Sequence, residues 1–272
     1  MSDTNYGTFK NSIPFARLGS GERIMLLFYG GPGNGIPRGF VLNFIISGLK
    51  DFLKEYTLYV LTRKSGLEEG YTTRRMSDDY AELIREEFGG HVDVVIGISF
   101  GGMIAQHFAA DHAELCDHLV IAMSTHKLTA DGARVDLNFA ELVSQCRDRE
   151  AAVAIAEALY PPGMVRWVMS SLMWLMSGPF VGRHGDTFNK DVLIEARAEV
   201  EHDALESIKR ISVPILMLVG GEDFYFPADS AREMASLIPH STLKIYPGKG
   251  HEIMDEKRFG EDIRAFIEKT HQ

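Results

Sequence analysis

The sequence is poor in the features that mark most non-enzymatic classes. Only two cysteines occur among 272 residues, Cys116 and Cys146. Their separation fits neither a zinc-ligand spacing nor a disulfide framework, which predicts no bound metal and a reducing, cytoplasmic setting. There is no run of lysine and arginine, and the net charge is −10. A phosphate backbone would be repelled on average, so no nucleic-acid partner is expected. Met1–Tyr6 has neither a basic start nor an apolar stretch, so no secretory leader is read. The longest apolar segment, Met164 to Met176, is interrupted by Arg166 and by Ser170-Ser171. It is too short to span a bilayer, and no membrane partner is expected. Internal repeats and low-complexity tracts are missing as well. What remains is a chain with 45% hydrophobic residues, ample for a sizeable core. The sequence leaves a homo-oligomer open.

What is present centres on Val92 to Ala105. Val92-Asp93-Val94-Val95-Ile96 is β-branched and almost continuously apolar, as expected of a strand buried on both faces. Ile104 to Ala110 reads as a helix. Between them stands Gly97-Ile98-Ser99-Phe100-Gly101. In a strand-to-helix turn this pattern is a nucleophile elbow. The flanking glycines permit a sharp bend, the serine is lifted to the tip of the sheet, and the helix directs its positive end to the same point.

The remaining chain alternates strands with helices. Short strands are expected over Thr8 to Arg17, then a buried strand over Ile24 to Tyr29. It runs into Gly30-Gly31-Pro32-Gly33-Asn34-Gly35, where so many glycines suggest close backbone approach to a ligand. No Gly-Lys-Ser/Thr follows, which excludes a Walker phosphate loop. Phe40 to Tyr56 has helical spacing, Thr57 to Thr62 is a strand, and Ser77 reads as the cap of a helix running to about Phe88. A strand at His118 to Met123 is followed by a break in the rhythm. From Ser124 to about Ser207 only helical patterns occur: Ala140 to Tyr160, Met164 to Met176, and Val192 to Ile208. Strands return at Val213 to Val219 and Thr242 to Tyr246, with helices near Ala228 and from Glu256 to Thr270. This predicts an α/β protein, a mostly parallel sheet covered on both faces. Its ligand site would lie at the carboxyl ends of the strands.

A serine needs a base, and the base needs an orienting carboxylate. Both are sought beyond the ends of later strands. Gly220-Gly221-Glu222-Asp223 follows one strand, and Pro247-Gly248-Lys249-Gly250-His251 follows the next. The order Ser99, Asp223, His251 is that of the α/β-hydrolase triad, with Glu222 as a rival acid. His91, His112 and His118 are read as surface residues, and His126 as a loop histidine or a site-lining one.

On these three motifs the chain resembles the α/β-hydrolase superfamily over about residues 8 to 124 and 208 to 270. The resemblance implies an α/β-hydrolase core (1–124 and 208–272) with a helical cap (125–207). It implies Ser99 as nucleophile, Asp223 as acid and His251 as base, with the Gly31 and Phe100 amides as oxyanion hole and no cofactor. Tyr29-Gly30 stands where many relatives have His-Gly, and Thr62-Arg63-Lys64-Ser65 where many have Asp-x-Arg-Gly. Tyr29, Asn34, Trp167 and Met173 are candidates for substrate contact, the last two as part of a methionine- and tryptophan-rich pocket wall. Arg166 and Arg183 are read as surface residues or ligands for an acidic group. The implied activity is hydrolysis of a small or medium carboxylic ester, a small molecule being the expected partner. Three other readings stay open. Gly-x-Ser-Phe-Gly-Gly also resembles carbon–carbon bond hydrolases of ring-fission products, and Gly-Gly-Pro-Gly resembles prolyl aminopeptidases. A hydrolase-fold receptor with little turnover is the fourth.

Overall fold

A computed structural model of the protein describes residues 4–183 and 185–270. Met1 to Asp3, read above for a leader, lie outside the described residues, as do His184 and the last two residues. The strands are β1 (Asn5–Thr8), β2 (Pro14–Leu18), β3 (Arg23–Phe28), β4 (Tyr56–Leu61), β5 (Val92–Ile98), β6 (Cys116–Ala122), β7 (Ile215–Gly220) and β8 (Ser241–Tyr246). They form one eight-stranded sheet in the order β1-β2-β4-β3-β5-β6-β7-β8. The pairs β1–β2 and β2–β4 are antiparallel and the others parallel.

Strand composition explains the two covered faces. Along β3, Met25 and Leu27 join one buried cluster while Leu26 and Phe28 join the other. A side-chain period of two sends neighbours to opposite faces, so a strand with helices above and below must be apolar throughout. One face is covered by α2 (Thr73–Glu87), α3 (Phe100–Asp111) and α10 (Ala228–Leu237); the other by α1 (Gly39–Ile45) and α11 (Lys257–Thr270).

The chain between β6 and β7 builds α4 (Ala130–Ser144), α5 (Asp148–Leu159), α6 (Met164–Leu175), α7 (Ser177–Val181), α8 (Phe188–Val200) and α9 (Leu205–Ile208). These helices have a hydrophobic cluster of their own, including Phe139, Val143, Phe188 and Val192.

Several elements depart from the sequence reading. The helix of residues 73–87 starts four residues before Ser77, and Thr72 is its cap, accepting the Arg75 amide at 3.2 Å. Ser77 is buried within it and bonds back to the Arg74 carbonyl at 2.7 Å. The Phe40–Tyr56 pattern breaks after α1 into a tighter turn over Ser47–Phe52. There the Ser47 hydroxyl bonds the carbonyls of Phe44 and Met254, and Gly48 packs against Met254 and Phe259. Ala140–Tyr160 is two helices, parted at Cys146, whose φ of 60° ends α4's run. Val192–Ile208 is likewise split, by His202 and Asp203. Among the described residues no helix is long and apolar enough to cross a membrane.

Candidate active site

The register of the parallel strands brings distant loops together. Phe28 pairs with Gly97, Ile98 with Ala122, Ala122 with Leu218, and Gly220 with Tyr246. The segments that follow these strand ends carry Gly30-Gly31, Ser99, Met123, Asp223 and His251, so all lie along one edge of the sheet.

Ser99 sits between β5 and α3 with φ 55° and ψ −123°, a strained conformation for a residue with a side chain. The close approach of neighbouring backbone demands glycine around it. A Cβ on Gly101 would stand 1.9 Å from the Phe28 carbonyl oxygen, and one on Gly30 2.1 Å from that of Ile98. His251 Nε2 lies 3.0 Å from Ser99 Oγ, and its Nδ1 lies 2.9 Å from Asp223 Oδ2. Asp223 is buried, and its Oδ1 accepts the amides of Tyr225 and Phe226 at 2.9 and 3.0 Å. Glu222 is exposed and takes no part in this series. Burial alone would lower the His251 pKa, but the charge and hydrogen bond of Asp223 override it and hold it above 6.5.

These groups floor a cavity of about 210 Å³, into which Tyr29, Gly31, Ser99, Phe100 and His251 all open. Among the described residues the amides of Gly31 and Phe100 donate to no backbone carbonyl. The Tyr29 phenol lies beside Gly31, and burial pushes its pKa up to about 12, so it is neutral.

Arg63, from the loop after β4, anchors the glycine segment and was not singled out as functional by sequence. It is buried, and it donates to the carbonyls of Tyr29 and Gly31 at 2.5 Å each and to that of Gly33. It also forms a two-point ion pair with Glu195 of α8 at 3.1 and 2.7 Å. The loop beneath the cavity is thus tied to the helices above it. Replacing Arg63 with methionine leaves Glu195 and three carbonyls without their donor. Breaking one side of a buried pair costs about 3–5 kcal/mol. Equilibrium urea unfolding of Arg63→Met should show a loss of that size; a loss below about 1 kcal/mol would mean the pair adds nothing over its desolvation cost.

Several sequence candidates take other places. Asn34 is buried outside the cavity. It donates to Ser65 Oγ at 2.9 Å and Asp191 Oδ2 at 3.1 Å, and so braces the glycine loop instead of touching a ligand. Trp167 and Met173 lie on α6, none of whose residues is buried or lines the cavity. Trp167 is 71% exposed. Helices α4, α5 and α8 already roof the cavity, and α6 packs on the outside of α5. His118 is buried, not on the surface. His126 is buried beside Glu233 and away from the cavity. Arg166 donates to the Tyr160 carbonyl, and Arg183 pairs with Asp148. Cys116 and Cys146 are free thiols. Among the described residues no three histidine, cysteine or acidic side chains are placed to share a metal ion.

The cavity also holds acidic side chains that no motif marks: Asp136 of α4, Glu195 and Glu199 of α8, and Glu252. Asp191, Glu195 and Glu199 recur every four residues, which marks a stripe on one helix face. Spacing alone does not say that the stripe faces inward.

A mostly parallel sheet with a serine elbow, and a histidine and carboxylate brought to it from two later loops, defines an α/β hydrolase. The alpha/beta hydrolase family model matches residues 25–261, and the chain belongs to that family. It is similar to the non-heme chloroperoxidase CPO-A1 of Kitasatospora aureofaciens, 33% identical over 72 residues, 25% of this chain and 26% of that protein. It is also similar to the pimeloyl-[acyl-carrier protein] methyl ester esterase of Vibrio cholerae serotype O1, 26% identical over 163 residues, 57% of this chain and 62% of that one. The aligned parts therefore span less than two thirds of either relative. Among solved structures, a thermophilic esterase from Thermogutta terrifontis superposes over 100% of both chains with a TM-score of 0.74 at 20% identity, a likeness of fold.

Proposed function

We propose that the chain is a serine hydrolase of small carboxylic esters, working through Ser99, His251 and Asp223 and an acyl-enzyme. The observation that carries this reading is the unbroken hydrogen-bonded series from Asp223 through His251 to Ser99 at the floor of the cavity. Two named esterases among its relatives and structural neighbours add support.

Ser99 Oγ attacks the ester carbonyl as His251 Nε2 takes its proton. Asp223 holds the ring in the tautomer that leaves Nε2 free, and it stabilises the imidazolium. The Gly31 and Phe100 amides hold the oxyanion, each such donor being worth about 2.7–4 kcal/mol. His251 then protonates the departing alkoxide. Water, deprotonated by His251, attacks the acyl-enzyme, and the acid leaves with Ser99 restored.

The test pairs a fluorophosphonate probe with a substrate screen. Labelling confined to Ser99, with turnover of p-nitrophenyl acetate and butanoate, is the expected result. Turnover of dienone acids or aminoacyl amides in preference to every ester would instead favour a carbon–carbon hydrolase or a peptidase. No labelling and no turnover would sink the reading.

The cavity wall predicts where chain-length preference resides. Phe139, Ile155, Leu159, Phe180 and Val192 line it, and Trp167 does not. One methylene in an apolar pocket is worth about 1–3 kcal/mol. Leu159→Ala should therefore raise kcat/KM for p-nitrophenyl hexanoate over acetate by roughly tenfold or more, while Trp167→Ala leaves that ratio unchanged. The reverse pattern would place α6, not α5, at the acyl chain.

A further inference from the structure

The cavity over Ser99 is apolar along much of its wall, yet two helices each send a carboxyl group into it. Asp136 comes from α4 and Glu199 from α8, which pack against each other. We propose that the substrate carries a protonated amine, its ammonium held between Asp136 and Glu199 while its ester carbonyl lies at Ser99. This rests on the ester-hydrolase reading above and names the substrate class of the same site.

The first argument is the state of Glu199. It is half-buried and opens on the cavity. Among the described residues it accepts no hydrogen bond and has no lysine, arginine or histidine within ion-pair distance. The guanidinium whose charge it feels, that of Arg63, is already spent on Glu195 and three carbonyls. A carboxylate partly withdrawn from water without a partner is costly, and one left facing a ligand cavity points to a ligand that supplies the partner. Asp136 is little better served: among the described residues only the Tyr225 hydroxyl donates to it. No hydrogen bond joins Asp136 to Glu199 among the described residues, so the two do not satisfy each other.

The second argument is electrostatic balance. Burial pushes the Asp136 pKa up to about 7, against the pull of His251 and the Tyr225 hydrogen bond. Burial, and then the charge of Asp136, raises that of Glu199 well above the usual range. In the free protein, burial and their mutual repulsion therefore disfavour the two being ionised together. An ammonium between them restores both charges and donates hydrogen bonds to both. A neutral ligand of the same shape does neither. The apolar side chains of Phe139 and Val192, on these same two helices, suit the methylenes between ammonium and ester.

Two isosteric substrate pairs separate the two ends of the ester on which the ammonium could stand. p-Nitrophenyl 3-aminopropanoate against p-nitrophenyl butanoate tests the acyl side. 2-(Dimethylamino)ethyl acetate against 3-methylbutyl acetate tests the leaving-group side. In one pair the cationic member should have the higher kcat/KM by roughly tenfold or more, and Glu199→Gln should bring that ratio close to one. The ratio is internal to each variant, so a change in overall rate does not obscure it. Should Glu199→Gln fail to fold, Asp136→Asn is read in the same way. Neutral members preferred or equal in both pairs overturn the proposal. Calorimetry with n-butylammonium reads the site without turnover: binding that weakens about tenfold in Glu199→Gln supports it, and no binding to the wild-type protein overturns it. Ammonium binding without any ester cleavage or fluorophosphonate uptake would retain the cation site and discard the esterase reading.

Discussion

Replacing Ser99 with alanine is expected to lower kcat toward p-nitrophenyl esters by about 10⁶, the scale on which triad nucleophiles act. It should also abolish fluorophosphonate uptake. The argument runs from the hydroxyl outward. Ser99 Oγ meets His251 Nε2 at 3.0 Å, and among the described residues no other side chain bonds it. Its removal takes away the proposed attacking atom, and leaves the cavity, the amides of Gly31 and Phe100 and the remainder of the series in place. The backbone strain at φ 55° is common to serine and alanine, so the thermal unfolding midpoint should move little. Activity retained within about tenfold of wild type, or labelling at another residue, would remove Ser99 from the chemistry.

Asp223→Asn should reduce kcat by about 10⁴ and shift its pH profile. Asparagine can still accept the Tyr225 and Phe226 amides through its carbonyl oxygen, so the loop remains folded. Its amide group then faces His251 Nδ1 and favours the tautomer with the proton on Nε2, where it cannot accept the serine proton. The sign of the pH effect follows from the causes of the His251 shift. His251 must be neutral to act as base, so kcat/KM rises as pH climbs through its pKa, which Asp223 holds above 6.5. Without that charge, burial is opposed only by the weaker charges of Glu252 and Asp136. The acid limb should move to lower pH even as the plateau falls. Glu222→Gln should change neither, since Glu222 is exposed. A larger loss in Glu222→Gln, or an unmoved acid limb in Asp223→Asn, would reassign the carboxylate.

How far the fold could be read depended on how local the determinant was. The strands β3, β5 and β7 announced themselves because burial on both faces forbids polar side chains, and the elbow because Gly97, Ser99 and Gly101 form a contiguous motif. Helix ends were less legible. Ser77 reads as a cap by type, yet Thr72 takes that role because its extended backbone turns its hydroxyl to the Arg75 amide. The split at Cys146 has no local signal: a non-glycine residue at positive φ is chosen by the packing of α4 and α5. His118 looked like a surface residue at a strand end and is buried under α11, where its ring meets Phe266.

The sequence by itself determined the order of the Ser99, Asp223 and His251 motifs, the sheet and the position of the helical insertion, since each rests on short motifs or on the period of apolar residues. Only the tertiary structure decided which residues the cavity meets. Trp167 and Met173 are apolar at helical spacing, but spacing does not say whether a helix forms the inner or the outer layer, and α6 is outer. Asp136, Glu195 and Glu199 are acidic residues on amphipathic helices, and only the packing of α4 against α8 turns them from solvent toward Ser99. Arg63 sits 36 residues before Ser99 and 132 before Glu195. Its role arises where three segments remote in the chain converge, and no one-dimensional pattern records that convergence.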